Sequence, residues 1–145
     1  MATISTGQFP VSALDIKVNT GTDTLVTIAD LESAGITLET NVETWYSITD
    51  DGWQNAMATA KAMTMDFSGK RTLGDAGNDY IAGLAFKNGQ DVETDFEVSF
   101  PNGDKLAFTG VVAVNDFLGG DATNVAPLSF TVTCKGKPTY TEASA

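Results

Sequence analysis

The sequence predicts a mainly β domain that carries one short helix. Several segments alternate apolar and polar residues with the period of two that is typical of half-buried strands, whereas 75–87 shows helical spacing. The 145 residues fit one domain of common size. With 42% apolar residues, the chain is too hydrophobic to be disordered. We therefore expect one body at 13–138, between a flexible N-terminal arm at 1–12 and a C-terminal tail at 139–145.

The first half of the body is predicted as a series of strands. In one of them, Met63, Met65 and Phe67 share a face because they occupy alternate positions. The expected elements are strands at 13–19, 24–29, 36–42 and 60–68, with a turn at 30–35 and a connection at 69–74.

The segment 43–56 combines a turn signal with large apolar residues. Asp51-Gly52 is a strong turn sequence. Around it lie three aromatic residues and one isoleucine: Trp45, Tyr46, Ile48 and Trp53. We expect a long loop or an extended hairpin with an aromatic cluster at its base.

Residues 75–87 form the predicted helix. Asp75 or Asn78 can cap its N-terminus by accepting hydrogen bonds from free backbone N–H groups. Its apolar face consists of Tyr80, Ile81, Leu84 and Phe86. Asn88-Gly89 provides a left-handed stop after the helix.

A hairpin follows at 91–115, and its pattern selects one register. A two-residue Asn102-Gly103 turn would set charged residues against core residues. A three-residue loop at 101–103, with Gly103 left-handed, keeps one face apolar. The expected pairs are Phe100 with Asp104, Val98 with Leu106, Phe96 with Phe108 and Val92 with Val112. After a loop at 116–121, the last strand is expected at 126–135.

The charge balance excludes several classes of function. Eight Lys and Arg against nineteen Asp and Glu give a net charge of −11, which argues against binding to nucleic acid or to an anionic membrane surface. The absence of His removes the Ser-His-Asp triad and almost every zinc site. A single cysteine, Cys134, permits no internal disulfide. No apolar run approaches the ~20 residues that span a bilayer, and we expect no secretory signal, membrane anchor, cofactor or metal.

The solvent face of the 91–115 hairpin carries an acidic row. Its members occupy alternate positions: Asp91, Glu93, Asp95 and Glu97. Same-face residues on a strand lie about 6.6–6.8 Å apart, so these carboxylates repel one another. The opposing strand offers small uncharged residues, with Lys105 as counter-charge. The row is either a solvated outer face or a surface that repels a polyanion, such as the wall of a channel.

Two other kinds of site stay open. Trp45, Tyr46 and Trp53 can stack on sugars, as in a monomeric carbohydrate-binding module, or anchor a protein interface. Glu93 and Asp95, or Asp50 and Asp51, can have the separation of about 5–9.5 Å that a glycosidase needs. Any acidic strand meets that criterion, so we expect no enzyme.

Five segments occur in an order that is similar to a known family. They are Thr49-Asp50-Asp51-Gly52-Trp53, the strand at 61–67 that ends in Ser68-Gly69, the helix at 75–87, the Phe100-Pro101-Asn102-Gly103-Asp104 hairpin, and the strand at 129–133 that leads to Lys135-Gly136. The ordered set spans 13–138. It resembles the major tail tube proteins of phages with long non-contractile tails, whose fold is shared by type VI secretion tube proteins.

The resemblance implies a β-sandwich or barrel flanked by one short helix, in a structural subunit without enzymatic activity. Such subunits form hexameric rings that stack into a tube, which holds the tape measure protein and passes DNA without specific binding. The tail terminator and tail-tip proteins are further implied partners. The protein is then expected in the virion, after assembly in the cytoplasm of the bacterial host.

The resemblance also assigns roles to particular surfaces. An acidic lumen lets DNA slide where a basic one would hold it, so the acidic row becomes the candidate lumen wall. The candidate subunit and ring contacts in the 40–53 segment are Trp45, Tyr46, Ile48, Asp50, Asp51 and Trp53. The N-terminal arm and the C-terminal tail are also candidate contacts between subunits or rings. The basic pairs Lys70-Arg71 and Lys135/Lys137 are solvated or meet an acidic neighbouring subunit.

Overall fold

A computed structural model describes residues 7–21 and 23–143. Within these residues lie eight strands and one α-helix, so the predicted mainly β fold with one short helix is confirmed. The strands are β1 (Asp15–Asn19), β2 (Leu25–Thr27), β3 (Leu31–Tyr46), β4 (Gln54–Lys70), β5 (Glu93–Ser99), β6 (Lys105–Asp116), β7 (Pro127–Cys134) and β8 (Thr139–Thr141). The helix, α1, spans Ala76–Gly83. Short 3-10 turns lie at Val11–Ala13, Ile48–Asp50 and Gly89–Val92.

The strands form one antiparallel sheet that curls toward a barrel. Its order is β2-β1-β5-β6-β7-β4-β3, so β2 and β3 are at opposite edges. A flat sheet would hold these edges about 29 Å apart, at about 4.8 Å per strand. Yet the chain passes from Thr27 to Leu31 in four steps, which span at most about 14 Å. The rings of Phe67 on β4 and Phe96 on β5 lie 6.5 Å apart across two intervening strands, so the sheet is strongly curved. No ladder pairs β2 with β3 in the described residues, and we call the place where the short connection brings these two edges close together the seam.

The core lies on the inner face of this curl. Four adjacent strands each contribute one aromatic side chain: Phe67, Phe96, Phe108 and Phe130. The ring centroids lie 5.1 Å apart for Phe67 and Phe130 and 5.4 Å apart for Phe96 and Phe108. Aromatic pairs at such distances stabilise beyond the area that they bury. Met63, Met65 and Phe67 share the buried face of β4 as predicted.

Helix α1 packs against the seam through its first turn. The predicted cap is Asp75, whose Oδ2 accepts from the Asn78 N–H at 3.0 Å and from the Ala29 N–H at 3.2 Å. Gly77 permits the close approach, because a Cβ at that position would lie 2.8 Å from the Thr27 carbonyl oxygen. One carboxylate thus caps the helix and holds the connection between β2 and β3.

The buried amide of Asn78 completes this junction. Its Nδ2 donates to the carbonyls of Ala29 and Lys70, at 3.2 and 3.0 Å. Its Oδ1 accepts from Arg71 Nη1 at 2.8 Å and from the Thr72 N–H at 3.0 Å. All four hydrogen-bonding positions of the side chain are filled, so Asn78 joins the β2–β3 connection and the end of β4 to the helix.

The three-residue loop between β5 and β6 is confirmed. Phe96 lies opposite Phe108, and the Phe100 N–H donates to the Asp104 carbonyl at 2.8 Å. Gly103 has φ +98°, the left-handed conformation that the loop requires. Alternation together with a left-handed Gly103 therefore predicted this register.

Three local predictions need correction. The turn expected at 30–35 is wrong, because β3 begins at Leu31 and pairs with β4 across a close approach at Gly69. Val92 lies in the 3-10 turn at Gly89–Val92 rather than opposite Val112 in the ladder. The helix ends at Gly83, and tighter turns follow through Lys87.

The tail expected at 139–145 contains β8. Because β7 ends at Cys134, the first residues of β6 keep a free edge, and β8 pairs there. The Tyr140 hydroxyl and the Ala143 N–H both donate to the Asp104 carboxylate, at 2.6 and 2.7 Å. Residues 1–6 of the expected N-terminal arm and 144–145 of the tail lie outside the described residues.

Candidate assembly surfaces

The longest hairpin of the molecule projects beyond the body. β3 and β4 pair along almost their whole length, but β7 covers β4 only from Thr64 onward. We call residues 35–62 the hairpin arm. Each of them is exposed except Ser47, which is half-buried. Of the two alternatives for 43–56, the extended hairpin is the one that forms.

The aromatic residues lie at the tip of this hairpin, and the prediction of a cluster at its base is wrong. Trp45 and Tyr46 are consecutive strand residues, so they point to opposite faces. Tyr46 is 71% exposed, Ile48 96% and Trp53 78%. Among the described residues, no ring contact joins these aromatic side chains. They therefore do not form one flat platform for a sugar ring.

The tip owes its shape to the Asp51-Gly52 turn that the sequence predicts. Asp51 has φ +54° and Gly52 has φ +79°, so both are left-handed. The Gly52 N–H donates a hydrogen bond to the Ser47 carbonyl at 3.2 Å. Asp50 and Asp51 both lie at this exposed end, so two carboxylates lie beside the apolar side chains.

The hairpin arm concentrates exposed apolar surface. Sixteen large apolar side chains are exposed within the described residues, and half belong to the arm: Ile36, Leu38, Val42, Trp45, Tyr46, Ile48, Trp53 and Met57. Leu38 pairs with Met63, so one face of β3 continues the core face of the body into solvent. Soluble monomers rarely expose such contiguous apolar patches, which mark interaction sites.

Only three of the four predicted members of the acidic row lie on one face of a strand. Glu93, Asp95 and Glu97 share the outer face of β5, whereas Asp91 lies in the preceding 3-10 turn. Lys105 Nζ lies 3.5 Å from Glu97 Oε1, as its position in the sequence suggested. The structure adds Lys135, whose Nζ lies 2.8 Å from Glu93 Oε1. The sequence analysis therefore identified one of the two lysines that pair with these carboxylates and missed the other.

Small and hydroxyl-bearing residues surround these carboxylates on the outer face of the sheet. Thr109 Oγ1 donates to Asp95 at 2.6 Å, and Thr131 Oγ1 donates to Asp66 at 2.8 Å. Ala107 and Ala113 alternate with buried residues on β6 and so point to the same side. The outer face is smooth, polar and mildly anionic.

Two exposed carboxylates have lowered pKa values with local causes. The Tyr140 hydroxyl, followed by the Ala143 N–H, lowers the pKa of Asp104. The backbone N–H groups of Gly119 and Leu118 lower the pKa of Asp116. Both shifts favour the charged form, whereas a carboxylic acid catalyst needs a raised pKa. Neither carboxylate is suited to act as a general acid.

Residues 7–21 and 23–143 lack two further features. No group of three or more metal-ligating side chains lies close enough there to hold an ion. None of the helices in that part of the chain has the length and apolar character to cross a membrane.

Two solved structures share the fold. One is the tail of an empty gene transfer agent particle, obtained by helical refinement with C6 symmetry, with a TM-score of 0.75 and 17% identity. The other is the virion of a native gene transfer agent particle, with a TM-score of 0.74 and 16% identity. Each match covers 93% of this chain and 100% of the other chain.

The chain therefore has a fold that also occurs in gene transfer agent particles. A family model described as phage tail tube protein matches residues 10–140, and the chain belongs to this family. The family is a structural one and not an enzyme family. No curated protein matches the sequence significantly.

Proposed function

We propose that this protein is the repeating structural subunit of a phage tail tube, in which hexameric rings stack into a hollow filament. The match to the tail tube family over residues 10–140 carries the proposal. The same fold occurs in a tail that was solved with C6 symmetry. The protein then belongs to the virion, and its rings are assembled in the cytoplasm of the bacterial host.

The hairpin arm supports self-association. Its exposed apolar side chains have no partner among the described residues of the same chain, and a neighbouring copy can cover them. Contact between two different surfaces on copies of one chain produces a closed ring or an open filament. The contact residues that we propose at the tip are Trp45, Tyr46, Ile48, Asp50, Asp51 and Trp53.

The outer face of the sheet is the proposed lumen wall. Glu93, Asp95 and Glu97 lie on it among small and hydroxyl-bearing residues, and Asp91 stands at its end. DNA is a dense line of phosphates that a basic surface would retain. A mildly anionic wall lets DNA pass without specific binding after the tape measure protein has left. The tail terminator and tail-tip proteins are the proposed partners at the two ends.

Negative-stain electron microscopy with light scattering tests the proposal over a concentration series. We expect rings or tubes with a central hole from the native protein. The double variant Ile48→Ser/Trp53→Ser should stay monomeric with an unchanged melting temperature, because both side chains are solvent-exposed in the isolated chain. A reconstruction of the tubes then shows whether the acidic row faces the hole.

A matched control is Leu73→Ser/Phe86→Ser, since these side chains are 82% and 89% exposed but lie on the body. This variant should assemble like the native protein. A native protein that stays monomeric at every concentration and binds glycans, with binding lost in Trp53→Ala, would instead favour the carbohydrate-binding module.

A further inference from the structure

A groove of about 500 Å³ opens at the base of the hairpin arm, where β4 extends past the end of β7. Its walls combine apolar side chains with two lysines. The lining residues are Leu38, Lys61, Ala62, Met63, Cys134, Gly136, Lys137 and Pro138. This volume lies within the range of ordinary ligand pockets, so the groove can accept one or two large side chains.

The charge of the groove is the opposite of the charge at the tip. Lys61 and Lys137 line it, and in the described part of the chain neither forms an ion pair. No carboxylate belongs to the lining. The tip carries Asp50 and Asp51 beside exposed apolar residues. The two surfaces therefore match in charge as well as in apolar character.

The tip of a chain cannot reach the groove of the same chain. Leu38 lines the groove, and Ser47 at the tip lies nine residue steps farther along the chain, just past the end of β3. At about 3.3 Å per strand residue, this distance is about 30 Å. An occupant with the chemistry of the tip must therefore come from a second copy.

We propose that the tip of the hairpin arm of one subunit, residues 47–53, inserts into the groove at the base of the arm of the next subunit. Ile48 and Trp53 enter against Leu38 and Met63, while the tip carboxylates face the two lysines. The proposal rests on the tube function and names where the arm docks. The contact is head-to-tail, so it can repeat without limit.

Cys134 makes the contact directly testable, because it lines the groove and is the one cysteine of the chain. Ile48→Cys and Trp53→Cys are prepared separately, assembled, and oxidised mildly with oxidised glutathione. A disulfide requires Cα atoms within about 7 Å. We expect a ladder of linked subunits, and peptide mapping should join Cys134 of one chain to the tip of another.

Two controls accompany this experiment. Leu73→Cys presents an equally exposed thiol on the body and should give no ladder above background. Adding Cys134→Ser to either tip variant should abolish the ladder. Assembled particles without a link between the tip and Cys134, in both tip variants, would overturn the docking proposal while leaving the tube function intact. A native protein that never assembles would overturn the tube function itself.

Charge provides a second test. Asp50→Asn/Asp51→Asn, in the Ile48→Cys background, keeps the turn because Asn tolerates the left-handed conformation. We expect the yield of the link to fall roughly two- to fivefold at low salt. The difference should shrink in high salt, where exposed charges are screened. Equal yields at low salt would overturn the charge complementarity on which the docking proposal depends.

Discussion

The body and the hairpin arm are built from the same two strands but differ in burial. β3 and β4 alternate apolar and polar residues in both regions. In the body, Phe67 of β4 is 2% exposed and packs against Phe130. In the arm, Leu38, Val42 and Tyr46 of β3 remain in solvent. The arm thus has the alternating apolar residues of a core-facing strand, but no described part of the same chain buries them.

On the proposed assembly, the alternation in the arm corresponds to burial against a neighbouring copy and not to burial within one chain. An isolated two-stranded hairpin is marginally stable in water, so pairing of β3 with β4 does not account for apolar residues along the arm. Exposed apolar side chains that continue a core face are instead typical of interfaces. The body is complete as a monomer, and we propose that assembly completes the arm.

The largest expected effect is a difference in unfolding free energy between one side-chain truncation in the body and one in the arm. Phe67→Ala should lower the free energy of unfolding by about 3–5 kcal/mol, because it leaves a cavity in the aromatic core. Tyr46→Ala, at an exposed position of the arm, should change it by about 0.5 kcal/mol or less. Urea unfolding of the dilute monomer measures both. Comparable losses would show that the arm is part of the monomer core.

The next effect concerns the seam that closes the body. Asn78→Leu removes four hydrogen bonds and leaves backbone groups of Ala29, Lys70 and Thr72 without this partner. An unsatisfied buried group costs about 1–3 kcal/mol, so we expect a loss of roughly 3 kcal/mol. Asn88→Leu, at an exposed position, is the control and should have little effect. Equal stability of the two variants would contradict the role of Asn78.

The smallest effect lies at the C-terminal strand. Since the pKa of Asp104 is lowered, chiefly by the Tyr140 hydroxyl, its charge stabilises the fold above its ordinary pKa of 3.8. This contribution is lost as the pH falls through the lowered value. Tyr140→Phe should raise the pKa of Asp104 toward 3.8 and reduce the loss, as carboxyl NMR titration measures. Tyr46→Phe is the control, and an unchanged Asp104 titration in Tyr140→Phe would contradict this account.

Local signals predicted the parts of the fold that depend on neighbouring residues. The β5–β6 register followed from alternation and from Gly103, and the cap followed from Asp75. The strand at Leu31 was missed because it depends on Gly69, which is distant in sequence and permits a close approach to Asp30. Asn78 was considered as a cap, but its side-chain partners come from the β2–β3 connection and from the end of β4.

The sequence identified the residues of the candidate surfaces better than it identified where those residues lie in the fold. The aromatic residues and the tip carboxylates were identified, yet their place at the end of a long hairpin was not. Apolar or Thr residues at every second position from Ala34 to Tyr46 were the available signal, but the strand was predicted to stop at Val42. The contact of Lys135 with Glu93 depends on the pairing of β6 with β7, which no local pattern reveals.

Hydrogen exchange measured by mass spectrometry on dilute monomer and on assembled tubes tests the central claim most directly. In the monomer, peptides from 35–62 should exchange quickly, because the arm has little tertiary protection, while peptides from β5, β6 and β7 exchange slowly. In the tubes, the arm should become strongly protected and the core peptides should change little. An arm that is equally protected in both states, or that stays unprotected in the tubes, would contradict the claim that assembly completes it.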